Sequence, residues 1–186
     1  MLDCTSVAPH AVHHPACGCL AAPGRRAVLA GLGAALALPT LAGRARAGSG
    51  QYEAMLVNCI DPRFATGSFN YMGAHHLRDQ YSQFVIVGGP IGAVHPRFAA
   101  WHQAFWDNLD ITVGLHRIHG VVALTHRDCG AAKLAFGEAA VATPAAEVAA
   151  HAEALRAFRA EVARRKPELR VATGLMALDG SVEEIA

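Results

Sequence analysis

Two short stretches carry residue types able to do chemistry together. Cys59-Ile60-Asp61-Pro62-Arg63 sets a thiol, a carboxylate and a guanidinium on alternate residues, so an extended backbone would aim all three the same way. His126-Arg127-Asp128-Cys129-Gly130 adds an imidazole and a second thiol three residues apart. Two soft sulfur donors and one imidazole suit zinc, and three protein ligands leave a fourth position open for reaction. Cys59, His126 and Cys129 are therefore the expected metal ligands.

The intervening pattern must bring these stretches together. Ala54 to Cys59 is a short apolar run suited to a buried parallel strand, with its functional residues at the carboxyl end. Phe64 to Tyr81 is polar and glycine-bearing, which predicts loop and a short helix. Gln83 to Val87 reads as a second buried strand, followed by a turn-rich linker, Gly88-Gly89-Pro90-Ile91-Gly92. Pro96 suits the first turn of a helix marked by Phe98, Trp101, Phe105 and Leu109, with a further turn or two from Asp110 to Leu115. Gly120 to Thr125 is a third strand that delivers His126, and helix from Gly130 places Cys129 at a helix amino terminus, where a thiolate is favoured.

Thr143-Pro144 caps another helix, whose face is Val148, Ala152, Leu155, Phe158 and Val162 and which stops by Lys166. Arg170 to Leu178 reads as the last strand, turned by Asp179-Gly180. Strands alternating with helices predict an α/β fold, a mostly parallel central sheet flanked by helices on both faces. Both reactive stretches then fall at strand carboxyl ends, where such sheets keep their sites.

Composition narrows the function. The 186 residues are 53% hydrophobic and 17% charged with a formal net charge of +1, which gives no electrostatic case for a nucleic-acid partner. Arg25-Arg26 precedes an apolar run from Ala27 to Leu41 and then Ala45-Arg46-Ala47, the layout of a twin-arginine export signal cut after Ala47. The run of about 15 residues reaches only about 22 Å, short of a roughly 30 Å bilayer core, which favours cleavage over a stable membrane span. The expected organisation is a signal with a disordered leader over residues 1–47 and a zinc domain over 48–186, exported to the periplasm. Removing Arg25, Arg26, Arg44, Arg46 and Asp3 from the 16 basic and 15 acidic residues leaves 12 and 14, a net charge of −2. Cys4, Cys17 and Cys19 go with the leader, so Cys59 and Cys129 remain alone and no disulfide scaffold is expected.

The paired stretches, in this order and with 66 residues between Cys59 and His126, resemble the C-x-D-x-R and H-x-x-C-G signatures of the beta-class carbonic anhydrases. The resemblance covers about Ala54 to Lys133, and Gly174 to Val182 looks like that family's closing strand and turn. It implies zinc on Cys59, His126 and Cys129, and reversible hydration of carbon dioxide to bicarbonate by zinc-bound hydroxide. It also implies that Asp61, paired with Arg63, serves as the catalytic hydrogen-bond acceptor, or in some members as a fourth zinc ligand that shuts the site. A homodimer or higher homo-oligomer is the implied assembly. The chain departs from the family at Pro62, where a small residue such as serine is usual, and in lacking a helical arm between the signal and the first strand.

Other readings compete. The same chemistry suits hydrolysis of carbonyl sulfide or carbon disulfide, and a zinc-binding protein without turnover would carry the same ligands. Cys59 and Cys129 could instead form a disulfide. His75 and His76 are candidate proton shuttles at the mouth of the site or plain surface residues, while His116 and His119 suit a solvated helix end.

Overall fold

The computed structural model describes residues 50–185; the predicted leader and export signal lie outside them. The chain runs β1 (Ala54–Asn58), a 3-10 turn (Pro62–Phe64), α1 (Ala65–Ala74), β2 (Tyr81–Val85) and α2 (Pro90–Val94). It continues through a second 3-10 turn (Pro96–Phe98), α3 (Ala99–His116), β3 (Gly120–His126) and α4 (Gly130–Phe136). A third 3-10 turn (Glu138–Val141), α5 (Pro144–Arg165), β4 (Arg170–Met176) and β5 (Val182–Glu184) complete it.

The strands form one sheet in the order β2-β1-β3-β4-β5, parallel throughout except for the antiparallel β4–β5 pair. The predicted α/β architecture is therefore the observed one. All five residues of β1 are buried, as expected of a strand covered on both faces. Its alternation divides the core. Met55 and Val57 join Phe105, Leu109, Leu155, Phe158 and Leu175 beneath α3 and α5, while Ala54 and Leu56 join Met72, Leu124 and Met176 beneath α1.

Three local readings need correction. The second strand starts two residues earlier than the apolar run suggests and lies at the sheet edge, only half-buried, because β1 pairs with it on one side alone. The glycine-proline segment is not a plain linker: Pro90 opens the short helix α2, buried at Pro90 through Ala93. Leu178 lies beyond β4, and the predicted turn at Asp179-Gly180 leads into a further strand, β5. Elsewhere the boundaries agree to within a few residues, and the turns expected from Asp110 to Leu115 continue α3 without a break. Thr143 caps α5 by accepting the Ala146 amide at 3.2 Å, and Arg165 ends it.

Gly89 shows why the loop before α2 cannot vary freely. Its φ of 54° and ψ of −118° belong to glycine, and a Cβ there would lie 2.8 Å from the Asn58 carbonyl carbon. This close approach presses the loop onto the residue before Cys59. We expect Gly89→Ala to cost about 2–4 kcal/mol of unfolding free energy in urea titrations of metal-free protein. Gly114→Ala in α3, where an added Cβ meets nothing within 4 Å, should be neutral or stabilising by up to about 1 kcal/mol.

Candidate metal centre

The carboxyl ends of β1 and β3 are adjacent because the two strands pair in parallel, with Val57 opposite Ala123. Cys59 leaves the end of β1, His126 closes β3, and Cys129 is the cap residue of α4. The donor atoms of Cys59, His126 and Cys129 all lie within 4.8 Å of one another. Both cysteines are free thiols, so the disulfide reading is not the observed state.

The histidine is prepared as a ligand. His126 is 2% exposed, and its Nδ1 lies 2.8 Å from the Arg127 carbonyl oxygen, to which it must donate. That fixes the proton on Nδ1 and leaves a lone pair on Nε2, which is buried and has no hydrogen-bond partner. An orphaned acceptor costs free energy unless something binds it. Here it faces two sulfurs, and a soft divalent cation is the group that satisfies all three. The ring is held from outside by Phe64, stacked on it at 4.0 Å between centroids.

The sulfurs are unequal without a cation. A hydrogen bond from the Cys129 thiol, opposed by burial and helped by His126 and the Asp61 and Gly88 backbone, lowers the Cys59 pKa to about 4. The Gly88 amide donates to Cys59 Sγ at 3.2 Å. The same sulfur contact, with burial, pushes Cys129 up. The pair thus holds one proton between two sulfurs at neutral pH, and a metal ion bound there would take that proton's place. Burial lowers the His126 pKa, but the neighbouring Cys59 sulfur and the Arg127 carbonyl outweigh it and raise the value overall.

Asp61 and Arg63 stand beside this cluster. Arg63 grips Asp61 with Nε at 3.1 Å from Oδ1 and Nη2 at 2.7 Å from Oδ2, a bidentate pair. Asp61 Oδ1 also accepts the Arg63 amide at 3.0 Å, which caps the 3-10 turn. The Arg63 hydrogen bonds hold the Asp61 carboxyl at about 2. Arg63 reaches across as well, donating from Nη1 to Asp128 Oδ2 at 3.0 Å and from Nη2 to the Asp128 carbonyl at 3.3 Å. Asp128 therefore joins the two reactive stretches, and Lys133 binds its other oxygen at 3.0 Å. A cavity of about 420 Å³ opens here, lined by Cys59, Ile60, Asp61, Pro62, Val87, His126, Gly130, Ala131 and Leu134. Its walls are chiefly apolar.

The remaining predicted histidines lie elsewhere. His75 and His76 follow the last residue of α1, and the loop they open returns to Glu53 at the amino end of β1, so the site is a helix length away. His116 is not simply solvated: its Nδ1 meets Ser82 Oγ at 2.5 Å and its ring packs on Tyr52. His119 is exposed. Sequence reasoning missed Glu147 of α5, which accepts the Asp128 amide at 2.6 Å, and His151, fully buried one turn further along. Neither has a local signal, because only the packing of α5 against the end of β3 brings them here.

No protein-family model matches the sequence. Among solved structures the chain is similar to the carbonic anhydrase of Streptococcus mutans, with 18% identity, 74% of this chain and 84% of that one covered, and a TM-score of 0.50. It is also similar to tetrameric beta-carbonic anhydrases of Sordaria macrospora, at 11% identity, 75% and 83% coverage, and a TM-score of 0.51. A Coccomyxa beta-carbonic anhydrase in complex with acetazolamide gives 15% identity, 75% and 74% coverage, and 0.51. The class is thereby defined: this is a beta-carbonic anhydrase fold with a Cys-His-Cys cluster able to hold a metal ion. By sequence, the chain is 33% identical over 131 residues to the uncharacterized protein RC0076 of Rickettsia conorii, covering 70% of each. It is 31% identical to an uncharacterized protein of Rickettsia bellii, covering 70% of this chain and 80% of that one. The chain belongs to the same family as these two Rickettsia proteins.

In metal-free protein, the lowered Cys59 pKa should make its reaction with iodoacetamide nearly independent of pH above about 5, while Cys129 stays unmodified. Peptide mapping at pH 6 checks this. One equivalent of zinc should protect Cys59, and equal labelling of the two sulfurs would contradict the assignment.

Proposed function

We propose that the chain is a zinc-dependent carbonic anhydrase, in which Cys59, His126 and Cys129 hold the metal and Asp61 and Arg63 serve the reaction. The observation that carries this reading is the buried, unpartnered Nε2 of His126 facing two sulfurs at the floor of an apolar cavity whose rim bears Asp61. Zinc in that position supplies a Lewis acid that brings the pKa of water toward about 7.

The chain's own residues do the rest. Apolar walls from Ile60, Pro62, Val87, Ala131 and Leu134 suit a small uncharged substrate such as carbon dioxide. Asp61 accepts a hydrogen bond from the attacking water and orients its lone pair toward the carbon. Because Arg63 depresses its pKa to about 2, Asp61 loses its charge only as pH falls from about 4 toward 2 and is a carboxylate at every neutral or alkaline pH. Water and carbon dioxide yield bicarbonate and a proton. Stopped-flow assays on zinc-loaded protein should show hydration, with Asp61→Asn slowing it about 100-fold while zinc stays bound, and Cys59→Ser losing zinc. Zinc binding without hydration at pH 7 or 9 would favour the non-catalytic reading.

We propose a two-fold assembly over the β2 edge. Among the described residues, β2 leaves one row of backbone groups unpaired, and Ile60, Phe69 and Val85 are exposed beside it at 56%, 45% and 47%. Sedimentation of residues 48–186 should give a dimer or larger, and Phe69→Asp with Val85→Lys should shift it to monomer. The arginine pair and the small-residue cleavage site support export through the twin-arginine route to the periplasm as part of the same proposal. No helix among the described residues is long and apolar enough to cross a membrane.

A further inference from the structure

We infer that Glu147 of α5 is the positioning residue that aims His126 and Cys129 at their shared ion, an inference that rests on the metal-site reading above. The two residues linking these ligands, Arg127 and Asp128, form a tight bend. Arg127 keeps its strand bond to the Met176 carbonyl at 2.8 Å, and Asp128 then adopts a left-handed φ of 54°. That conformation is costly for a residue with a Cβ and persists only when something holds it.

Glu147 holds it from the first turn of a 22-residue helix. Its Oε1 accepts the Asp128 amide at 2.6 Å, and its Oε2 accepts Arg127 Nη1 at 3.2 Å. The same Nη1 donates to the Pro144 carbonyl at 3.0 Å, which ties the bend to the helix end by a second route. The carboxylate is 14% exposed, so these bonds are only weakly screened. Fixing the Arg127–Asp128 peptide fixes the Arg127 carbonyl, the acceptor that sets the tautomer of His126. The residue after the bend is Cys129. One side chain therefore governs the ring nitrogen presented on one side and the direction of the sulfur on the other.

The test uses residues 48–186 as the zinc-binding chain, with zinc affinity read by competition with a chromophoric chelator. Alongside, 15N shifts of the His126 ring and melting of the metal-free protein are recorded. Glu147→Ala should weaken zinc binding about 10- to 100-fold and replace the single His126 tautomer with an average. Glu147→Gln, which keeps one acceptor for the Asp128 amide, should recover binding to within about threefold of the parent chain. Glu161→Ala, on an exposed ion pair of the same helix, should leave affinity and tautomer unchanged. If Glu147→Ala does not fold, Glu147→Asp, too short to reach both partners, carries the same expectation. Affinity unchanged in Glu147→Ala, or equal loss in the Ala and Gln variants, overturns the assignment of Glu147. A parent chain that binds no zinc overturns the metal-site reading beneath it.

Discussion

The parallel pairing of β1 with β3 is the constraint on which the rest depends. Adjacent strands lie about 4.8 Å apart, so two strands that start level and run the same way stay level along their shared length, which puts Cys59, just after β1, beside the last residues of the longer β3. Ala54 lies opposite Gly120, and the residues that follow each strand emerge side by side. Cys59 and His126, with 66 residues between them in the chain, become neighbours without any loop having to reach. The helix after β3 then needs only a two-residue bend to bring its cap residue, Cys129, to the same point.

Around that point the polar groups are arranged in closed sets. The Gly88 amide serves Cys59, the Arg127 carbonyl serves His126, and Arg63 divides its donors between Asp61 and Asp128. Among the described residues, the buried side-chain nitrogens left without a partner include the His126 ring nitrogen that faces the sulfurs and both ring nitrogens of His151. The exposed Arg63 pairs contribute little to stability. Their importance is geometric: a planar fork with two carboxylates fixes the relative position of two loops more narrowly than either loop's backbone does.

Much of this was legible in the residues. The burial of Ala54–Asn58 and Gly120–His126 follows from unbroken apolar runs, and Thr143-Pro144 marks the start of α5 to the residue. The three ligand candidates were visible because cysteine and histidine at such spacing have few other uses in this chain. What the sequence could not supply depends on register and packing. The apolar run Gln83 to Val87 looks internal, yet the strand it belongs to has a neighbour on one side only. His75 and His76 resemble functional residues until α1 carries them back along the sheet. Glu147 is one of several acidic residues on a long helix, and only its distance to the Asp128 amide distinguishes it.

The two margins of the sheet differ, and this bears on how many copies can join. One is β2, parallel, carrying Phe84 and Val85; the other is β5, three residues long, reversed in direction and bearing Glu183 and Glu184. A strand added beside β5 would meet adjacent negative charges and almost no length to grip. Growth by edge addition is therefore possible on one flank only, and a contact that uses the same flank on both copies closes upon itself. Among the described residues the acidic β5 margin thus disfavours strand addition, so an association through the β2 flank would stay finite where two open flanks would extend into fibres.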